Sequence, residues 1–307
     1  MEELNHCLIC RKSLISKHKE SERMLFLVAG DALVSKKKFK IEACPFCGFL
    51  FTNPRPTQNE IKAYYHSEAY ISHTEKKQSL RDRLYFYVQK IMLAKKFRLL
   101  NKHTNPKQRK LLDYGCGSGT FLKESVIRGY DSVGYEPEQI ARKKAQAKDL
   151  LVADRNEKVL GIDTQAYDII SLWHVLEHLH EFPSILNDFY TKLSPDGILL
   201  IAVPMAESAD AVYYKNNWAG WDLPRHLFHF TRESLVKSCN QAGFKLIQNK
   251  GMPFDSYYVS WLSEQQINNP MAPIKAFLIG TWSNAKAIIG KTPWSSEIFV
   301  FRKTGRG

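Results

Sequence analysis

Asp113-Tyr114-Gly115-Cys116-Gly117-Ser118-Gly119 continues from Leu111–Tyr114, which reads as a short buried strand, into a stretch from about Thr120 to Arg128 with helical spacing. Glycines at a strand-to-helix turn let the chain reverse tightly. They also let a ligand lie against the backbone, close to exposed helix N–H groups. A nicotinamide-binding dehydrogenase can show a similar loop. Two details argue otherwise: the spacing is G-x-G-x-G instead of G-x-G-x-x-G, and Asp113 stands at the strand end. A carboxylate there repels a pyrophosphate and suits a ligand that presents an ammonium group.

Outward from this loop, strands and helices alternate. Ser132–Glu136 reads as a strand, Glu138–Lys148 as a polar helix and Leu150–Ala153 as a third strand. Tyr167–Leu172 is a fourth, His174–Leu193 reads as helical and Gly197–Val203 is a fifth. A helix at about Arg232–Ala242, a strand at Lys245–Lys250 and a closing strand at Glu297–Arg302 follow. Repeated strand–helix units imply a doubly wound α/β fold with a mainly parallel sheet covered on both faces. Acids recur at the strand ends. Glu136 lies 23 residues beyond Asp113, where a carboxylate can accept from both hydroxyls of a ribose. Asp154 follows the third strand, and Leu172-Trp173-His174-Val175-Leu176-Glu177-His178 follows the fourth.

With the D-x-G-C-G-S-G turn, Glu136, Asp154, W-H-V-L-E-H and L-S-P-D-G (193–197) in this order, residues 108–251 resemble the class I S-adenosylmethionine-dependent methyltransferases. The resemblance implies a seven-stranded, mainly parallel Rossmann-like sheet closed by an antiparallel final hairpin. It implies S-adenosylmethionine as cofactor: Asp113, Tyr114, Gly115, Cys116 and Gly117 would line the methionine portion. Glu136-Pro137 would hold the ribose, Ala153-Asp154 would flank the adenine, and Leu172, Trp173 and His174 would pass under the sulfonium. The ligand's chemistry agrees, since it carries an ammonium and a sulfonium and no phosphate. Asp168 reads as a strand-end capping carboxylate, Cys116 as a small loop residue without a reactive role and Cys239 as a buried thiol.

Cys7-x-x-Cys10 and Cys44-x-x-Cys47 are separated by 33 residues. Two such pairs point to one tetrahedral ion, with zinc the expected metal and a structural role, since four thiolates leave no open position. A redox-active pair is the competing reading, but nothing nearby resembles a thioredoxin unit. The long gap implies a three-stranded ribbon with an extended arm. The expected organisation is a zinc-ribbon at 1–56, a helical connector or lid at 57–107 and the methyltransferase domain at 108–307, with an insertion at 254–294. In the connector, Leu84, Val88, Ile91, Met92 and Leu99 recur at helical spacings, and the aromatic stretch from Tyr64-Tyr65 to Tyr70–His73 reads either as a lid or as packing between domains.

The acceptor side is expected after the fifth strand, where this fold class places substrate loops. Trp221–Thr231 (WDLPRHLFHFT) holds two histidines, an arginine and aromatics. Zinc-ribbon methyltransferases acting on carbon atoms of nucleotide-linked deoxysugars have a similar layout, which implies His226 and His178 as base or orienter. Arg225 stands where those enzymes tend to carry a glutamate, and is read as a holder of an anionic substrate group.

Composition sets outer bounds. Over 307 residues, 44% hydrophobic and 24% charged content is that of a globular protein, which excludes wholesale disorder. No run approaches the roughly 18 apolar residues of a spanning helix. The start Met1-Glu2-Glu3 lacks the pattern of a signal peptide, so a cytoplasmic location is expected. The net charge of +13 resides entirely in residues 1–110, which hold 23 Lys+Arg against 10 Asp+Glu, while the remainder holds 21 of each. The leading expectation is therefore a methyltransferase with a small, anionic acceptor, such as a sugar nucleotide or a biosynthetic intermediate. An RNA methyltransferase whose basic first third grips phosphates is the alternative, and a non-catalytic cofactor-binding module is the third reading. No reading specifies an oligomeric state.

Overall fold

The computed structural model describes residues 1–15, 24–65, 80–107, 109–161 and 166–304. The expected lid residues Tyr70–His73, and the side chains of 80–85 with Leu84 among them, lie outside the described residues.

Two sheets organise the chain. Strands β1 (Met24–Gly30), β2 (Lys38–Ala43) and β3 (Leu50–Thr52) form the first, antiparallel throughout. The second contains β4 (Lys110–Tyr114), β5 (Asp131–Tyr135), β6 (Val152–Ala153), β7 (Tyr167–Trp173) and β8 (Leu193–Pro204). A two-residue strand, β9 (Phe228–His229), belongs to the first sheet although it comes from the second half of the chain; β10 (Phe244–Gly251) and β11 (Ser296–Lys303) return to the large one. The large sheet runs β10-β11-β8-β7-β4-β5-β6, with β11 antiparallel to both neighbours and the rest parallel. This is the expected seven-stranded, doubly wound arrangement. The strand order reverses between β4 and β7, so the glycine turn and the Trp173–His178 segment leave the sheet side by side, at the crevice where this fold class binds ligands.

The central strands read as continuous apolar runs because both faces are covered. Leu112, Ile170, Leu172, Leu199 and Ile201 pack on one face and Leu111, Ile169, Ile198, Leu200 and Val300 on the other. The helix Leu80–His103 covers the second face through Phe97, Leu99 and Leu100, with Phe97 stacked on Phe121 at a centroid distance of 4.8 Å. Such a pair adds about 0.5–1.5 kcal/mol beyond its burial.

Two expectations about elements change. The run 174–193 is not one helix. His174 takes φ of 58°, a 3-10 turn covers Leu176–His178, and the α-helix begins only at Phe182, with Pro183 in its first turn. Proline is tolerated there because the missing N–H would have no partner. The break keeps the 174–178 segment at the crevice instead of carrying it along a helix. The cysteine-bearing sheet is four-stranded, not three: Phe51 pairs with Phe228 and Leu50 with His229. Phe49 and Phe51 join Phe182, Phe228 and Phe230 in the principal core. The insertion folds as two helices, Pro253–Gln266 and Ala272–Ile288. Among the described residues no helix is long and apolar enough to cross a membrane.

Candidate active site

The glycine turn is held by its neighbours. The N–H groups of Gly115 and Cys116 donate to the Tyr135 carbonyl at 2.8 and 3.0 Å, and that of Gly117 donates to Glu136 Oε2 at 2.8 Å. Gly115 has φ of 76°, and a Cβ there would meet Val175 Cγ2 at 2.5 Å, so the turn and the Trp173–His178 segment fit only with glycine. At Gly117, with φ of 55°, a Cβ would meet nothing within 4 Å. A cavity of about 270 Å³ opens there, lined among others by Asp113, Gly117, Ser118, Phe121, Trp173 and Lys96.

Charged groups face this cavity from two sides. Asp113 is buried and accepts from Ser171 Oγ at 2.8 Å; burial pushes its carboxyl up to about 7 against the pull of Ser171 and Lys96. Lys96 lies with Nζ 3.8 Å over the Trp173 ring, and burial pulls it down to about 8. Lys96 escapes a reading of the sequence, since it is one of many basic residues on a long helix. Its distinguishing signal is its phase, four residues beyond Met92 on the apolar side of that helix.

The remaining expected cofactor residues distribute as follows. Glu136 accepts from the N–H groups of Gly117 and Glu138, and burial raises its pKa. Pro137 is exposed at the rim. Tyr114 turns to the opposite face of the sheet, where its hydroxyl donates to Asn156 Oδ1 at 2.6 Å, and Leu172 is buried on that same face; only their backbones reach the crevice. Ala153 is half-buried, and Asp154, at the edge, pairs with Lys158 at 2.6 Å. Burial raises the Cys116 thiol, which agrees with an unreactive loop residue. Asp168 caps the start of β4, accepting from the N–H groups of Arg109 and Lys110.

Beyond Trp173 the chain builds a second cluster. Glu177 is fully buried, with Oε1 3.7 Å from His174 Nδ1 and 3.9 Å from His226 Nε2. His226 donates from Nδ1 to the Gly220 carbonyl at 3.0 Å, and its ring meets that of His178 edge-on at 4.6 Å. Burial and the neighbouring His178 pull His226 down to about 4, so it is neutral near pH 7. His178, half-buried, donates from Nδ1 to the Arg225 carbonyl at 2.9 Å, with the Tyr65 hydroxyl 3.0 Å from the same nitrogen. His226 does not line the glycine-turn cavity; it borders a small one of about 10 Å³ beside Gly220 and His229. His174 links the two regions: burial opposes its protonation, but Asp255 at 3.4 Å and Glu177 outweigh that and push it up to about 9. The insertion thus reaches the crevice through Asp255. Glu177 was available to a reader of W-H-V-L-E-H, but nothing local shows that this acid points inward.

Arg225 requires a correction. It is 1% exposed, and its guanidinium donates to Asp222 through Nε and Nη2 and to Asp31 Oδ1 and the Tyr64 carbonyl through Nη1. Four of its five N–H groups are thus committed to its own chain, so it clamps the cysteine-bearing sheet to the 222–226 loop and, buried, is not placed to hold a substrate anion. Arg225→Ala leaves Asp31 and Asp222 without their counter-charge. It is expected to cost about 3–5 kcal/mol, read as a lowered midpoint in denaturant unfolding.

The four cysteines converge, with Cys7 Sγ 3.6 Å from Cys47 Sγ and Cys10 Sγ 3.6 Å from Cys44 Sγ. Four sulfurs at 2.3 Å from one tetrahedral ion lie about 3.8 Å apart, so the donor set fits zinc with small adjustment.

A family model described as "Methyltransferase domain" matches residues 85–249. A ubiquinone biosynthesis O-methyltransferase of Actinobacillus pleuropneumoniae is 24% identical over 185 residues, covering 54% of this chain and 79% of the relative. One from Rhodopseudomonas palustris is 29% identical over 167 residues, covering 50% and 64%. Among solved structures, an S-adenosylmethionine-dependent methyltransferase from Archaeoglobus fulgidus superposes with a TM-score of 0.50 at 19% identity, over 70% of this chain and 94% of that one. The family match spans more than half of the sequence and carries both the glycine turn and the Trp173–His178 segment that face each other across the crevice. The chain accordingly belongs to the methyltransferase-domain family, as an enzyme of the class I, S-adenosylmethionine-dependent kind.

Proposed function

We propose that this enzyme methylates a small-molecule acceptor held between Trp173–His174 and the His178–His226 pair. The observation that carries the reading is the cavity above Gly117, with Asp113 and Lys96 on its walls: a carboxylate and an ammonium group suit the zwitterionic end of an amino acid. Asp113 would take the ammonium of the methionine portion, Lys96 its carboxylate, Glu136 the ribose hydroxyls and Asp154 the adenine amine. When bound, S-adenosylmethionine supplies an electrophilic methyl group. The protein's tasks are then to place the acceptor in line and to accept its proton. The neutral imidazole of His226 and the neighbouring ring of His178, beside Glu177, are the groups for the second task. The names of the curated relatives support a small biosynthetic intermediate as acceptor. A nucleotide-linked sugar also fits the histidine pair, but without Arg225 to clamp its phosphates. Titration calorimetry with S-adenosylhomocysteine tests the reading: saturable binding at one site per chain is expected, and no heat with folded protein would sink it.

The cysteine cluster is read as a structural zinc site. Purified protein should carry one zinc bound to thiolates per chain. Because β3 pairs with β9, stripping that zinc should also loosen the 222–229 loop, visible as lost amide protection there as well as in residues 1–56. Purified protein without thiolate-bound zinc, or chelation without any change at 222–229, would contradict this.

A further inference from the structure

The cluster of Glu177, His178 and His226 has a geometry that proton transfer does not explain. One carboxylate oxygen of Glu177 and one nitrogen of each imidazole lie within 4.8 Å of one another. Glu177 is 1% exposed, yet among the described residues neither of its carboxylate oxygens has a hydrogen-bond partner. His174 Nδ1, 3.7 Å from Oε1, lends positive charge from beyond hydrogen-bond range. A buried carboxylate without a hydrogen-bond donor is costly, so a donor or a cation in direct contact belongs beside it. The neighbouring imidazoles are not that donor. His226 Nδ1 gives its proton to the Gly220 carbonyl, which leaves a lone pair on Nε2, the nitrogen 3.9 Å from Glu177 Oε1. A protonated Nε2 would still be too far away for a hydrogen bond. His178 Nδ1 likewise donates to a backbone carbonyl, that of Arg225. An imidazole that donates one N–H to a backbone carbonyl and turns the other nitrogen to a carboxylate, as His226 does, is oriented as a metal ligand is.

The spacing agrees. Bonds of about 2.0–2.2 Å from one ion to a histidine nitrogen and a carboxylate oxygen place those atoms roughly 3.4 Å apart at a tetrahedral angle and up to about 4.2 Å apart at wider angles. The Glu177–His226 distance of 3.9 Å falls within that range.

We infer that Glu177, His178 and His226 bind one divalent transition-metal ion, at a site separate from the four cysteines. Two imidazoles and one carboxylate favour zinc, manganese or iron over magnesium, which prefers oxygen and water. Three protein ligands leave a coordination position open. On the methyl-transfer reading, the two imidazoles would then serve the acceptor as ligands of the ion in place of accepting its proton, and the open position would receive an oxygen of the acceptor; the metal site itself does not depend on that reading.

Manganese separates the two sites, because it favours oxygen and nitrogen donors over thiolates. Protein with zinc at its cysteines, titrated with Mn²⁺ and followed by electron paramagnetic resonance, should bind one equivalent. Glu177→Gln keeps the shape of the side chain and should bind at least about 100-fold more weakly, since groups that merely orient a ligand already cost 10–100-fold. His226→Asn should behave alike, with zinc remaining at one per chain in both variants. In the wild-type protein, Co²⁺ should add d–d absorption without a thiolate charge-transfer band. Failure of the wild type to take up either ion beyond the cysteine site overturns the inference, as does equal affinity in a folded Glu177→Gln variant. Should that variant not fold, the two wild-type titrations decide. Binding of S-adenosylhomocysteine without Mn²⁺ or Co²⁺ uptake would reject this site and leave the methyl-transfer reading standing.

Discussion

Glu136→Ala is expected to weaken S-adenosylhomocysteine binding by at least about 10²-fold. A hydrogen bond to a charged group is worth roughly 1.5–3 kcal/mol, and two ribose hydroxyls would be lost together. The same carboxylate also holds the N–H groups of Gly117 and Glu138, so the substitution removes the support of the glycine turn as well as a ligand contact. Both losses act in the same direction. Asp154→Ala serves as the comparison: Asp154 sits at the edge of the crevice and already pairs with Lys158, so a smaller loss is expected. Calorimetry on folded protein measures both. Unchanged affinity in Glu136→Ala would remove Glu136 from the cofactor site.

His226→Ala should leave cofactor affinity intact and reduce turnover by roughly 10²–10⁴-fold, the usual contribution of a positioned acid–base group. The separation is expected because His226 does not line the cavity above the glycine turn and lies on the far side of Glu177 from His174. His226→Asn is the more conservative variant, since its amide can still donate to Gly220 while offering no imidazole nitrogen to the cluster. Release of S-adenosylhomocysteine in the presence of acceptor provides the readout, with calorimetry as the control for binding. A variant with wild-type turnover would take the cluster out of the reaction.

The two residues also differ in how they are built into the fold. Glu136 closes a strand of the parallel sheet, and its position follows from the sheet alone. His226 is held by long-range contacts: its carbonyl accepts from Thr52 Oγ1 at 2.7 Å, and the next residue's N–H donates to the Glu177 carbonyl at 2.8 Å. Thr52 belongs to β3, so the cysteine-bearing sheet buttresses the loop that carries His226. A zinc site that stiffens residues 1–56 would in this way act on the acceptor side of the crevice, a physical reason for joining the two units in one chain.

The doubly wound sheet was legible along the chain because its causes are local. Apolar runs such as Leu111–Tyr114 and Gly197–Val203, polar helices between them and a glycine turn at a strand end are consequences of neighbours in sequence, and the right-handed crossover rule assembles them. The paired cysteines and the acids at strand ends could be read for the same reason: each residue's place on its own element shows it. Other features depend on residues far apart, which no periodicity records. Phe51 meets Phe228 across a two-residue strand too short to show a pattern. Arg225 has the look of an anion holder in a histidine-rich loop, until folding places Asp31 against its guanidinium. Glu177 differs from an ordinary capping acid only because burial removes its water while His178 and His226 close around it. Whether a charged side chain faces a ligand or its own protein depends on which distant groups share its low-dielectric surroundings, and the packing of the two sheets against each other makes that choice.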